Sequence, residues 1–262
     1  MTRTKLIIAV FGSTETSSFP LAEKIGSAIA QKNQVLLTGG KGVEDGTVKE
    51  KAILGAKEEA KRSNWAANWI GVDRTSKIGF KIDYQGRAFK LQTDLDHKRN
   101  CLEACLCDAA IALEGEDGTI SEALYTLWLG KRVVFVGDIS QKRNIIAHNG
   151  SVTSVNFEEM ICAAHKRVGS ILASDYPLNT LFDKDVIEKG LKRLQDSANY
   201  KWYPTPTNEG KQLEVIQNAL LWLLETNVTG DFPMIAGYAN IAAEYKKWLS
   251  KINGNNLSIF QI

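Results

Sequence analysis

Residues 109–122 read AAIALEGEDGTISE. Ala109 to Leu113 form an apolar run without a polar interruption, as expected of a strand buried on both faces. Gly115 and Gly118 follow, and helical spacing sets in from about Ile120 to Leu129. A glycine turn between strand and helix lets backbone approach a ligand, and the helix N–H groups favour an anion. Glu114, Glu116 and Asp117 nevertheless put negative charge where an anion would sit. Two unit charges about 4 Å apart at an effective dielectric near 20 interact by roughly 4 kcal/mol, enough to weaken phosphate binding severely. Three readings are open: the acids point to solvent, Lys41, Lys98 or Arg99 offsets them, or the ligand presents hydroxyls or a cation.

The same texture repeats on both sides of this stretch. Lys5–Phe11 is a nearly continuous apolar strand ending at Gly12-Ser13, and Ser17-Ser18 with Pro20 signals a helix start. Leu21, Ala22, Ile25, Ala28 and Ile29 then share one helical face. Val35–Leu37 predicts a second strand closing at Thr38-Gly39-Gly40, followed by a helix from about Thr47 to Arg62. Trp69–Val72 reads as a third strand, and 73–95 as a loop or short extra strands. A helix from about Lys98 to Cys107 precedes the opening stretch. Gly130, a helix C-cap, and a strand at 131–136 succeed it. Val152–Val155 and a helix from Phe157 to Gly169 complete the pattern. Strands alternating with helices through short links predict right-handed βαβ units, hence a doubly wound, mostly parallel α/β sheet of Rossmann-like type.

From about Ser174 the texture becomes helical, with expected helices at 183–197, 210–226 and 235–251. Two units are expected: an α/β domain over 1–174 and a helical C-terminal extension over 175–262. Tyr200, Trp202 and Tyr203, beside prolines, read as ordinary aromatic packing, with a patch over a pocket or a subunit contact as the alternative.

Composition bounds the function. With 32 basic against 30 acidic residues and a net charge of +2, the chain lacks the charge excess of a broad nucleic-acid-binding face. No apolar run approaches the roughly 20 residues that span a bilayer, and LIIAVF near the start reads as a core strand rather than a signal peptide. Cys101, Cys105 and Cys107 lie in one helical segment and Cys162 stands apart, without metal-ligand spacing. They read as small core hydrophobes in a reducing, cytoplasmic compartment. His97, His148 and His165 read as solvated or structural. Neither GxGxxG nor Gly-Lys-Ser/Thr occurs after a strand, which disfavours a dehydrogenase or a P-loop hydrolase. Three glycine-bearing strand ends (Gly12-Ser13, Gly39-Gly40 and Gly115 to Thr119) point to a nucleotide-like ligand at the carboxyl edge of the sheet.

Taken in order, IAVFGS, LLTGG with the downstream Gly55-Ala56, Thr93 before Lys98-Arg99-Asn100, GEDGTISE and GKRVVFVG resemble the SLOG superfamily over roughly residues 5–172. That superfamily includes the LOG ("lysine decarboxylase-like") phosphoribohydrolases and DprA-like Rossmann proteins. LOG enzymes hydrolyse the N-glycosidic bond of cytokinin nucleoside 5'-monophosphates. The resemblance implies that Arg99 holds phosphate or ribose and that Glu122, the last residue of the family's PGGxGTxxE, stabilises charge developing on the ribose. Gly12, Ser13, Gly39, Gly40, Thr93, Asn100, Gly115, Gly118 and Thr119 would bind the ligand. No cofactor or metal is implied, and LOG proteins usually pair, so a homodimer is expected. The chain departs from the pattern at Glu114-Gly115-Glu116, where the family has PGG, and in the longer glycine loop GGKGVEDG. Two classes of function are therefore expected: an N-glycosidic hydrolase, or a non-catalytic sensor of a nucleotide or NAD-derived signal. DNA handling is a weaker third.

Overall fold

The computed structural model of the chain describes residues 5–13, 19–39, 46–64, 66–74, 80–85, 87–93, 99–115, 117–137, 197–226, 244 and 247–252. Among them run β1 (Ile7–Phe11), α1 (Phe19–Gln31), β2 (Val35–Gly39), α2 (Val48–Arg62), β3 (Trp69–Arg74), β4 (Phe80–Gln85), β5 (Ala88–Thr93), α3 (Arg99–Leu106), β6 (Ala109–Ala112), α4 (Asp117–Trp128), β7 (Arg132–Val136), β8 (Tyr200–Tyr203) and α5 (Glu209–Leu224). The expected strand at 152–155, the helix at 157–169 and residues 183–196 of the next lie outside the described residues. So do Gly40, Lys41, His97, Lys98, Glu116, His148, Cys162 and His165.

One eight-stranded sheet, in the order β4-β5-β3-β2-β1-β6-β7-β8, organises these elements. Every pairing is parallel except β4 with β5. This is the doubly wound α/β architecture expected from the alternating runs. The stretch 73–95 resolves into the extra strands: β5 lies parallel to β3, and β4 turns back along its outer side. FKIDYQ alternates apolar and polar residues, the pattern of an antiparallel strand covered on one face.

Tyr200–Tyr203 is also a strand, set parallel beside β7 with Val133 opposite Tyr200 and Val136 opposite Tyr203. Trp202 Nε1 donates to Gly137 O at 2.9 Å. The sheet thus continues past residue 174, where the texture of the sequence changes, and α5 packs into the same core. Aromatic content suits a strand, but four residues give too short a period to separate a strand from a loop.

Strand alternation sends side chains into two helix layers. Ile7, Ala9, Phe11, Leu37, Phe89 and Phe135 face α3, α4 and the helical segment 247–252, where Trp248 lies 5.5 Å from Phe89 between ring centroids. Ile8, Val10, Leu36, Ile111 and Val134 face α1, α2 and α5. Cys101, Cys105 and Cys107 are buried free thiols of the first layer, the place expected of small core hydrophobes. Burial pushes the Cys107 thiol up to about 12. Among the described residues no helix is long and apolar enough to cross a membrane.

Local contacts fix the parts that matter for the site. Thr47 caps α2 and Glu50 completes a capping box, each accepting from the other's backbone N–H, at 3.2 and 3.1 Å. Gly130 takes the left-handed conformation expected of a C-cap, with φ of 76°. Beside it, Lys131 Nζ donates to the carbonyls of Ala104, Cys105 and Cys107 at 2.7, 2.9 and 2.6 Å. The end of the buried helix α3 thereby receives both hydrogen bonds and a charge opposite to its dipole.

α1 and α2 cross at two glycines. A methyl group on Gly26 would strike the carbonyl oxygen of Ala52, and one on Gly55 the carbonyl oxygen of Glu23. Helix propensity alone favours alanine over glycine by about 1 kcal/mol. Here overpacking of backbone on backbone outweighs that gain, at about 1–3 kcal/mol. Gly55→Ala is expected to lower the free energy of urea unfolding by that net amount. Unchanged or increased stability would show that the helices separate without cost.

Candidate functional site

The strand order reverses at β1: β2, β3 and β5 lie on one side of it, β6 and β7 on the other. Such a switch point opens a crevice at the carboxyl ends of the strands. Gly12 and Ser13 leave β1 there, and Glu114 and Gly115 leave β6. The two exits are tied together, since Ser13 N donates to Glu114 O at 3.3 Å and Val48 N donates to Ser13 O at 3.4 Å.

The glycines of this edge are filled by the protein itself. A methyl on Gly12 would run into the isopropyl group of Val48, and one on Gly115 into the Thr119 side chain. At Gly39 it would strike Lys49 Nζ and come 2.9 Å from Glu103 Oε1. Gly118 differs: among the described residues, nothing beyond its chain neighbours and its own helix backbone comes within 4 Å of a methyl placed there.

Lys49 is the second residue of α2, in the layer that covers Ile8 and Val10. Its ammonium ends in the opposite layer, 2.9 Å from Glu122 Oε1 on α4. Gly39, with no side chain, leaves the passage over the sheet edge through which the lysine reaches. The pair is buried, with the side chains 12% and 2% exposed. Charges so far from water need close partners, which this geometry supplies for one oxygen of Glu122. The other, Oε2, has no hydrogen-bond partner among the described residues.

Beside this pair lies Glu103, fully buried in the middle of α3; no group donates to either carboxyl oxygen among the described residues, and Glu122 is placed to accept from the protonated acid. Arg99, one turn earlier, brings Nε to 3.7 Å from Glu103 Oε1 and Nη1 to 4.0 Å from Asp73 Oδ1. These are electrostatic distances, too long for hydrogen bonds. Burial pushes the Glu103 carboxyl up to about 8; Lys49 and Arg99 pull it down and Glu122 adds to the rise.

The structure thus gathers Arg99, Glu122 and Gly39 into one cluster, joined by Lys49, Glu103 and Asp73. Gly12, Ser13, Glu114, Gly115 and Thr119 gather at the β1/β6 exit. Thr93 and Asn100 are buried, at the end of β5 and the start of α3. Of the turn acids, Glu114 leans toward the ends of β7 and β8. Its Oε1 accepts from Thr205 Oγ1 at 2.9 Å, and its side chain lies where a methyl on Gly137 would be. A residue from beyond β8 therefore supplies a hydrogen bond to the carboxylate at position 114.

Lys49, Glu103, Asp73 and Thr205 were not singled out by the sequence. Glu103 carried a signal: an acid amid Cys101, Leu102, Ala104, Cys105 and Leu106 on a wholly buried helix, four residues after Arg99. Lys49 carried none, being one of several lysines on α2.

The family model described as the SLOG cluster4 family matches residues 5–165. An uncharacterized protein of Archaeoglobus fulgidus is 30% identical over 122 residues, 47% of this chain and 72% of that protein. Among solved structures, the molybdenum cofactor binding protein of Rippkaea orientalis is 19% identical with a TM-score of 0.47, covering 84% of this chain and 99% of that one. The molybdenum cofactor carrier protein of Chlamydomonas reinhardtii is likewise 19% identical, with a TM-score of 0.48 and the same coverage.

The buried carboxyl has a consequence for stability. Glu103 binds its proton more tightly folded than unfolded. Its contribution is therefore complete below the ordinary range near 4.5 and is lost as pH rises toward and through about 8. In Glu103→Gln this loss is absent. The stability of the native chain relative to this variant, from urea unfolding, is expected to decline steadily between pH 5 and 8. A constant difference across that window would contradict the assignment.

Proposed function

The chain belongs to the SLOG cluster4 family, and on that premise we propose that it binds a nucleotide or nucleotide-derived ligand at the carboxyl edge of its sheet without cleaving it. The observation that carries this reading is the 2.9 Å ion pair between Lys49 and Glu122. N-glycosidic cleavage builds positive charge on the ribose, and a carboxylate stabilises that charge only if its field is not already cancelled. At about 4 Å and an effective dielectric near 20, one unit charge contributes roughly 4 kcal/mol. An ammonium on the same carboxylate offsets most of it. Binding draws instead on the crevice between β1 and β6, on the open first turn of α4 at Gly118, and on Arg99.

Hydrolysis is the second reading. It is favoured by the meeting of Arg99 and Glu122 in one cluster, as the family pattern requires, and by the unpartnered Oε2 of Glu122.

A panel of nucleoside monophosphates separates the two. Thermal-shift and calorimetric titration are expected to show binding of at least one member, with no free base by chromatography after prolonged incubation. Base release that disappears in Glu122→Ala would replace binding by hydrolysis. Absence of binding by every member would contradict both.

A further inference from the structure

Glu103 is buried in the middle of α3, beside the ion pair; no group among the described residues donates to its oxygens, while Glu122 can accept from the protonated acid. A bare carboxylate in such a place is costly, whereas the neutral acid is tolerated. Among the described residues, the charged groups that act on it come from three elements: Lys49 on α2, Glu122 on α4 and Arg99 on α3 itself, the last also 4.0 Å from Asp73 at the end of β3. Lys49 is committed to Glu122, and Arg99 stands between Glu103 and Asp73. Among the described residues, Lys49 and Arg99 are the cations that act on Glu103, and neither is within hydrogen-bond distance of its oxygens. Lys49 Nζ and Glu103 Oε1 border the same methyl-sized space at Gly39, so a small swing of the ammonium carries it from one glutamate toward the other.

We propose that Glu103 is a positioning residue for this site: it holds one proton under the ion pair, which leaves Lys49 wholly to Glu122, and on losing that proton it draws Lys49 toward itself and loosens Glu122. The step is a proton release to solvent followed by a shift of one ammonium between two carboxylates. No bond to a ligand is made or broken. The upward push on the Glu103 carboxyl by burial has the sign this requires. The functional consequence rests on the second reading above, hydrolysis, in which Glu122 is the group that meets the ligand. Its neutralisation by Lys49 would then be set by a single buried proton, and alkaline conditions would favour an available carboxylate.

The test uses the full chain without ligand, so its outcome is independent of whether any nucleotide binds. Glutamate and aspartate side chains are labelled with 13C at the carboxyl carbon and followed by NMR from pH 5 to 10. One signal, removed in Glu103→Gln, is expected to titrate near pH 8. A second, removed in Glu122→Gln, is expected to shift with the same midpoint as its lysine is drawn away. Glu103→Asp should move the first signal and keep the coupling, which holds the test open if the glutamine variant fails to fold. A Glu103 signal that titrates in the ordinary carboxylate range, near pH 4, would overturn the proposal. So would a Glu122 signal that is indifferent to the ionisation of Glu103.

Discussion

A lysine that starts in one helix layer and ends in the other is the contact on which the edge of this sheet depends. Lys49 rises from the first turn of α2, passes over the end of β2 at Gly39, and meets Glu122 on α4 at 2.9 Å. For that to happen α2 must begin where it does, which the reciprocal Thr47–Glu50 cap fixes. The strand must end in a residue without a side chain, and α4 must bring a carboxylate to the sheet edge one turn from its start. Buried ion pairs add little net stability compared with apolar packing, but removing one partner leaves a stranded charge costing about 3–5 kcal/mol. The pair is therefore better understood as a device that fixes where two helix layers meet than as a source of folding energy.

The same constraint shapes the chemistry. Glycine at three strand ends first suggests backbone opened to a ligand, yet Val48, Lys49 and Thr119 occupy the space that Gly12, Gly39 and Gly115 leave. The carboxyl edge is built tightly by the chain's own side chains. Among the described residues, the switch point between β1 and β6 and the first turn of α4 at Gly118 are where the function proposed here would seat a ligand. Beside them sits a cluster whose charges nearly cancel. On the function proposed here, such a site serves recognition rather than the stabilisation of a developing cation.

The architecture was legible because buried parallel strands announce themselves: IIAVF, VLLTG and AAIA carry no polar alternation, and helical spacing links them. The turn at Gly115 to Glu122 was legible from glycine chemistry and family pattern. Tyr200–Tyr203 was not, because four residues of YKWY hold too few periods, and their strand character comes from pairing with β7, over sixty residues earlier. Lys49 escaped notice for another reason. On α2 it looks like Lys51, Lys57 and Lys61, and only tertiary packing decides that its ammonium turns inward. The direction taken by Glu114 likewise depended on Thr205, more than ninety residues away and unreachable by any local rule.

A thermodynamic cycle across the two helix layers tests this account most directly. Unfolding free energies of the native chain, Lys49→Met, Glu122→Gln and the double variant would be compared in urea at pH 7. If the pair holds the layers together, Lys49→Met alone loses about 3–5 kcal/mol. The double variant would recover a large part of that, giving a coupling well above the few tenths expected of independent sites. Losses that simply add would mean that Lys49 and Glu122 act separately, and the bridge over Gly39 would cease to be the contact that orders the site.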